Sequence, residues 1–374
     1  MSKVLATRAV VLAALVMMFA TFAMHAPCRN TNYTASQFTS FCYSDIPVQF
    51  ANDDFSEVAP VPQMIMKLIS KLPGDFLVHT VVLQLIIAAA FVAITLLIMK
   101  LPVHNMREAT IFALMPMWAF VAFIATDLFA ILFGTLAIYF WYNRKLNLSA
   151  LAAGFAIASG SWAWVIALAI AIQLYKYASF KWVAKYSGIS AIAALILNLP
   201  NFLSHNPILT FSDEYGDGTP LYIWSLVAEK GNPTGYISIW FGLAITIFLI
   251  RWAALTAFDH RLELLILIFV CVQVLTDTSF SPQSLSHVLW LLVLCFPKPS
   301  YLLRVTIPMI IYVVAVWLNH ERDLGGTGIA PINYAIFSVF LWVVLISIGF
   351  KAADYISVPG DDDLLASQNF VAIK

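Results

Sequence analysis

Apolar runs separated by short turns follow one another along almost the whole chain, and that succession decides what it can fold into. They fall at about residues 9–24, 76–99, 109–124, 127–142, 147–159, 161–175, 188–203, 236–255, 262–276, 284–297, 301–318 and 331–350. About 20 apolar residues in helix match the hydrocarbon thickness of a bilayer. With 61% hydrophobic and 11% charged residues and a mean hydropathy of +0.87, the chain fits no soluble class. The expectation is an all-α polytopic membrane protein, a bundle of about twelve transmembrane helices, with a range of about ten to thirteen because several runs are short. Residues 147–175 also read as one long broken helix. The first run has signal-peptide features, with Lys3 and Arg8 ahead of it and Ala23-Met24-His25-Ala26 behind it. A polytopic protein ordinarily keeps such a helix as a signal anchor. Residues 1–352 are expected to form one transmembrane domain, and 353–374 a cytoplasmic tail.

The charges set the orientation. Formal net charge is zero, so there is no basic field to draw nucleic acid. With the N-terminus cytoplasmic, every cytoplasmic turn keeps a basic residue, and only Arg29, Lys67, Lys71, Lys230 and Arg322 fall outside. That is the pattern of the positive-inside rule. Both termini are then cytoplasmic, and the two long loops, 25–75 and 204–235, face outward in the plasma membrane. Long loops in compact folds tend to carry function.

Cys28 and Cys42 share the first loop, where an oxidising exterior permits a disulfide. Cys271 and Cys295 lie in apolar runs and read as filler, and no cysteine or histidine spacing suggests a metal. From Val58 to Leu72 the apolar Val61, Ile65, Leu68, Ile69 and Leu72 recur at helical spacing, with Lys67 and Lys71 on another side. Pro60 and Pro62 suit a helix start, and Pro73-Gly74 a stop. This segment reads either as an amphipathic juxtamembrane helix on the outer leaflet or as an ordinary packed loop helix.

Several stretches carry a resemblance. They are Cys42-Tyr43-Ser44-Asp45-Ile46 after the first run and Thr126-Asp127-Leu128-Phe129-Ala130, which starts a helix ending in Asn143-Arg144-Lys145. Leu151-Ala152-Ala153-Gly154 and Ser281-Pro282-Gln283, the latter followed by Leu289-Trp290-Leu291, complete the set. Together, over about residues 8–297, the chain resembles the actinobacterial members of glycosyltransferase family 87, polyprenyl-phosphate-mannose-dependent mannosyltransferases of the GT-C class. The resemblance implies a GT-C-like bundle with an extracytoplasmic active site and a first-loop aspartate, here Asp45, as general base. It implies a polyprenyl-phosphate sugar donor and a lipid-linked glycan acceptor, among membrane lipids. The chemistry is consistent with one carboxylate: an attacking sugar hydroxyl must lose a proton, whereas a phosphate leaves as a stable anion. Glycoside hydrolysis ordinarily needs two. Without the resemblance, Asp45 ahead of Ile46-Pro47 reads as a helix cap.

The chain also departs from the family pattern. Asp127 follows Ala125-Thr126 where the family has Asn-Trp, and Ser159-Gly160-Ser161-Trp162-Ala163-Trp164 stands where an Ala-Lys-Leu-Tyr-Pro turn is usual. The lysine is missing. His287, one turn past Gln283, is the best-placed outer group to meet a donor phosphate, with Gln283, Asp127 and Ser161 beside it; it also reads as a packed or capping histidine. Asp127 and Asp277, near outer helix ends, suggest a polar cavity.

Acceptor contacts are expected from Asp53, Asp54 and Glu57 in the first loop and from Asp213, Tyr222 and Trp224 in the second. Carboxylates accept sugar hydroxyls and rings cover sugar C–H faces. Asp53 and Asp54 read also as solvated charges, or less readily as an acidic pair holding a divalent cation through oxygens, and Tyr222 and Trp224 as an interfacial aromatic belt. No cofactor is implied, and no nucleotide, dinucleotide, nucleophile-elbow or zinc-protease motif occurs. The leading expectation is an inverting mannosyltransferase of the cell envelope. An inactive GT-C-like scaffold or partner subunit, working with another membrane protein, is the second. A transporter or lipid flippase ranks third, since no inverted repeat is evident.

Overall fold

The computed structural model describes residues 3–33, 37–38, 40–102, 104, 106–203, 236–255, 262–276, 281–323 and 331–357. Asp213, Tyr222, Trp224, Asp277, the whole of the second long loop and the tail after 357 lie outside the described residues. Within them the chain is entirely helical, with no strand. In chain order the helices are α1 (Lys3–Met24), α2 (Ala26–Asn30), α3 (Ile46–Asn52), α4 (Pro60–Ile69), α5 (Phe76–Lys100), α6 (Met106–Leu114), α7 (Trp118–Val121) and α8 (Leu128–Tyr142). Then come α9 (Leu146–Ile157), a 3-10 turn (Ser161–Ala163), α10 (Trp164–Tyr177), α11 (Phe180–Leu203), α12 (Tyr236–Leu255), α13 (Leu262–Thr276), α14 (Ser284–Cys295), α15 (Pro299–Asp323) and α16 (Pro331–Ser357).

Five of the described segments are long and apolar enough to cross a bilayer: Leu5–Asn30, Phe76–Lys100, Phe180–Leu203, Pro299–His320 and Asn333–Ile356. α8, α9, α13 and α14 are apolar but shorter. At 1.5 Å per residue, a 15-residue helix rises only about 22 Å, less than the roughly 30 Å of a hydrocarbon core. These are the features of a polytopic membrane protein, with fewer full-length crossings among the described residues than the count of apolar runs predicts.

The run at 109–124 does not form one span. Pro116 has no N–H to donate to the Phe112 carbonyl four residues earlier, and the chain divides there into α6 and α7. The Trp118 indole N–H donates to that same carbonyl at 2.9 Å. The 147–175 stretch likewise divides, at the 3-10 turn between α9 and α10.

α1 packs on α5 and α6, α5 on α8, α8 on α9, and α9 on α11. α10 joins this group to α13, which packs on α14 and α16, and α16 on α15. Small residues bring α9 and α11 together. A Cβ on Gly154 would stand 2.6 Å from the Ala193 Cβ and 2.7 Å from the Ser190 carbonyl oxygen, the close approach that small residues permit between membrane helices. Ser190 Oγ donates to the Ala150 carbonyl at 2.8 Å, and Ser149 Oγ to that of Ala137 at 2.8 Å.

α4 is docked, with Met66 and Ile69 buried and the helix packed on α5 and α11. Its Val61 N–H donates to the Ala158 carbonyl at 3.0 Å. Leu68 and Leu72 of the apolar set are exposed beside Lys67 and Lys71, while Ile69 of that set and Met66 fill the contact. The N-terminus of α5 is set by Asp75, whose Oδ1 accepts from the Val78 N–H at 3.0 Å. Gly74 ahead of it has φ +142°, which favours glycine.

Candidate functional site

The segment before α3 is fixed at three points. Cys42 is joined to Cys28 in a disulfide with Cα atoms 6.1 Å apart. Ser44 Oγ donates to the Phe123 carbonyl at 2.6 Å, and the Asp45 N–H donates to that of Ile124 at 2.9 Å. A loop 79 residues away in sequence thus holds the backbone of Asp45.

Asp45 occupies the N-cap position of α3, yet its side chain makes no capping bond. The carboxylate instead accepts a hydrogen bond from the Tyr43 hydroxyl. Tyr43 stacks on Phe38 with ring centroids 5.0 Å apart, and Phe38 lies 5.8 Å from the His320 ring. Burial pushes the Asp45 carboxyl above its ordinary value; the Tyr43 hydroxyl opposes this, Asp127 and Glu57 push further up, and His320 pulls down. Burial also raises the Tyr43 phenol, with the Asp45 charge adding to it. The carboxylate is therefore a stronger base than a solvated aspartate.

Asp45 opens onto a cavity of about 510 Å³, within the range of small-ligand sites. Glu57, Asp127, Ser161, Gln283 and His287 line it as well. The turns ahead of α4, α8, α10 and α14 bring them there, so residues far apart in the chain meet at one end of the bundle. His287 Nε2 lies 2.8 Å from Asp127 Oδ1, and the His287 ring stacks on Trp162 at 3.8 Å between centroids and 20° between planes. Gly160 has no room for a side chain, since a Cβ there would meet Trp162 Nε1 at 2.9 Å.

Other expected residues lie elsewhere. Asp53 and Asp54 are exposed and do not line the cavity. Asp53 ends α3 in the left-handed region at φ 51°, and Asp54 Oδ1 accepts from the Ser56 N–H at 2.9 Å. Arg29 donates to the Phe22 carbonyl at 2.8 Å and covers the Phe22 ring. His79 Nε2 lies 3.0 Å from the Leu72 carbonyl.

Tyr43 and Gln273 are site residues that the sequence did not single out. Tyr43 stands two residues before the carboxylate it holds. Gln273 interrupts the apolar stretch between Glu263 and Thr276 of α13, the kind of position that signals a cavity in a membrane helix. Gln273 Oε1 and the Trp162 indole nitrogen are buried without a protein partner, and both residues line the cavity. A buried polar atom left unpaired is costly, so a ligand donor at Gln273 and a ligand acceptor at Trp162 would each remove a penalty.

Among the described residues no group of three or more His, Cys, Asp and Glu side chains is arranged to hold a metal. No lysine or arginine among them lines the cavity. Chemically, the arrangement offers one shielded base, a carboxylate-held imidazole across from it, and neutral donors and acceptors between. Comparisons with protein-family models, with curated proteins and with solved structures found no match to this chain.

Proposed function

We propose that the protein is an integral-membrane glycosyltransferase that moves a sugar, mannose on the family resemblance, from a polyprenyl-phosphate donor to a lipid-linked glycan acceptor. On this reading the fold is a GT-C-like bundle of about a dozen crossings, and the cavity faces the extracytoplasmic side of the plasma membrane. Asp45 takes the proton from the attacking acceptor hydroxyl. That oxygen bonds to the anomeric carbon as the carbon–phosphate oxygen bond breaks, inverting the configuration. The phosphate leaves as an anion and needs no acid. One observation carries the reading: Asp45 sits in the cavity with its carboxylate free of any capping role and held by Tyr43.

His287 takes the place of the absent lysine. Asp127 Oδ1, 2.8 Å from His287 Nε2, holds the imidazole at the cavity wall, where it meets the donor phosphate. The Trp162 indole N–H and Gln283 add neutral donors. Glu57 meets acceptor hydroxyls at the cavity rim.

The test is incubation of the purified protein with labelled polyprenyl-phosphate sugars and membrane lipid extracts, with products identified by mass spectrometry. Transfer by the wild type and a loss of at least about 100-fold in Asp45→Asn is expected, as for removal of a general base. Full activity in Asp45→Asn sinks the assignment. A second reading, a catalytically inactive scaffold or partner subunit in envelope assembly, is favoured by the lack of lysine and arginine around the cavity among the described residues. It expects no transfer to any acceptor and retention of a membrane partner in Asp45→Asn.

A further inference from the structure

At the end of α14 remote from the cavity, a second group of side chains is left with charge to satisfy. α14 has 12 residues, so its ends stand about 18 Å apart. His287 in its first turn faces the cavity, whereas Phe296 and Lys298 follow its last turn. Here the Lys351 ammonium of α16 lies 3.4 Å from the Tyr301 ring centroid and 5.0 Å from that of Phe296. Tyr355 packs edge-on to Phe296 at 5.4 Å. Lys298 is near enough for its charge to act on Lys351.

Two ammonium groups therefore share one corner formed by the start of α15 and the end of α16. Among the described residues neither makes an ion pair with a carboxylate, and Asp354, one turn beyond Lys351, bridges neither. The rings hold the Lys351 ammonium at this corner, where the charge of Lys298 acts on it, and two like charges so placed repel unless an anion lies between. The neighbouring apolar surface continues the pattern. Leu303, Ile307 and Ile311 are exposed at four-residue spacing along α15, and Val343, Ile346 and Phe350 are exposed at helical spacing along one side of α16. Cations at the helix ends with apolar ladders running away from them match the division of a phospholipid into headgroup and chains.

We propose that this corner binds one anionic phospholipid of the bilayer, with its phosphate between Lys298 and Lys351 and its acyl chains along the two ladders. The site is separate from the cavity and stands whether or not the protein transfers sugar.

The test uses the full chain, delipidated in neutral detergent and titrated with phosphatidylglycerol or phosphatidylcholine, with bound lipid counted by native mass spectrometry. A saturable, single phosphatidylglycerol adduct is expected, preferred over phosphatidylcholine and undisturbed by inorganic phosphate. K298Q/K351Q should lose the preference, by about fivefold for each ammonium removed. K181Q/K185Q, which removes the same charge from exposed positions on α11, should keep it. Lys351→Arg preserves both charge and ring contact and should also keep it, which separates loss of the site from misfolding. Equal retention of the two lipids by the wild type overturns the proposal. So do competition by inorganic phosphate, an unchanged preference in K298Q/K351Q, an equal loss in K181Q/K185Q, or loss in Lys351→Arg.

Discussion

His287 and Asp127, 160 residues apart, meet at 2.8 Å across the cavity wall, with the imidazole laid flat on Trp162. The contact joins the first turn of α14 to the residue that begins α8, and so ties two sides of the site together. On the proposed reading it also holds the imidazole that meets the donor phosphate. Asp127→Asn keeps the shape and removes the carboxylate that holds the imidazole.

Asp127→Asn and His287→Gln are each expected to raise the donor KM and lower kcat/KM by about 100-fold, and the double variant by little more, because the two act as one unit. Steady-state transfer rates over a range of donor concentrations measure this. Fully additive losses would show that the residues contribute independently.

Tyr43→Phe removes the hydroxyl that favours the ionised form of Asp45. The carboxyl value then rises further, so the base is protonated at a higher pH. The acid limb of the kcat/KM profile should move toward higher pH, with roughly a tenfold loss of rate on that limb and recovery in more alkaline buffer. A uniform loss at every pH would instead mean that Tyr43 serves only packing.

Asp45 also bears on stability. Its folded-state value lies above the ordinary carboxylate value, chiefly through burial. Such a group is at its most favourable for folding when protonated at low pH, and that contribution is lost as pH rises through the raised value. At neutral pH the ionised carboxylate is therefore a local cost. Asp45→Asn should unfold on the order of 2 °C higher at pH 7 while inactive. The gap should close as pH falls to the ordinary carboxylate range. Thermal unfolding in detergent at several pH values reads both the sign and the window.

The helical, membrane-spanning character was legible because it rests on apolar runs, which need no tertiary information. The division at Pro116 was legible in principle as well, since proline removes a defined hydrogen bond; an uninterrupted apolar pattern concealed it. Asp127, Gln283 and His287 could be grouped because each lies near the end of an apolar run, whereas Asp45, in the first long loop, was marked by the Cys42-Tyr43-Ser44-Asp45-Ile46 stretch. What could not be read was pairing across the bundle. That His287 contacts Asp127 depends on how α8 and α14 pack, and that Tyr43 turns toward Asp45 depends on the stacking with Phe38. Asp53 and Asp54 show the opposite case: their charge marked them, but the left-handed turn at Asp53 and the Ser56 contact keep them at the surface.

The Cys28–Cys42 disulfide lies three residues ahead of Asp45 and closes a separation of 14 residues. Both cysteines are buried, and the bridge packs with Tyr33. Closing a loop of this size restricts the unfolded chain by about 3 kcal/mol in the loop-entropy account. The C28S/C42S variant should therefore lose about that much stability. Its effect on transfer should be smaller than that of Asp45→Asn, because Ser44 and the Asp45 N–H remain bonded to the carbonyls of Phe123 and Ile124. Thermal unfolding and transfer rates measured on the same preparation separate the two effects. Complete inactivation at a temperature where the variant remains folded would show that the disulfide itself, rather than those two hydrogen bonds, sets the position of the base.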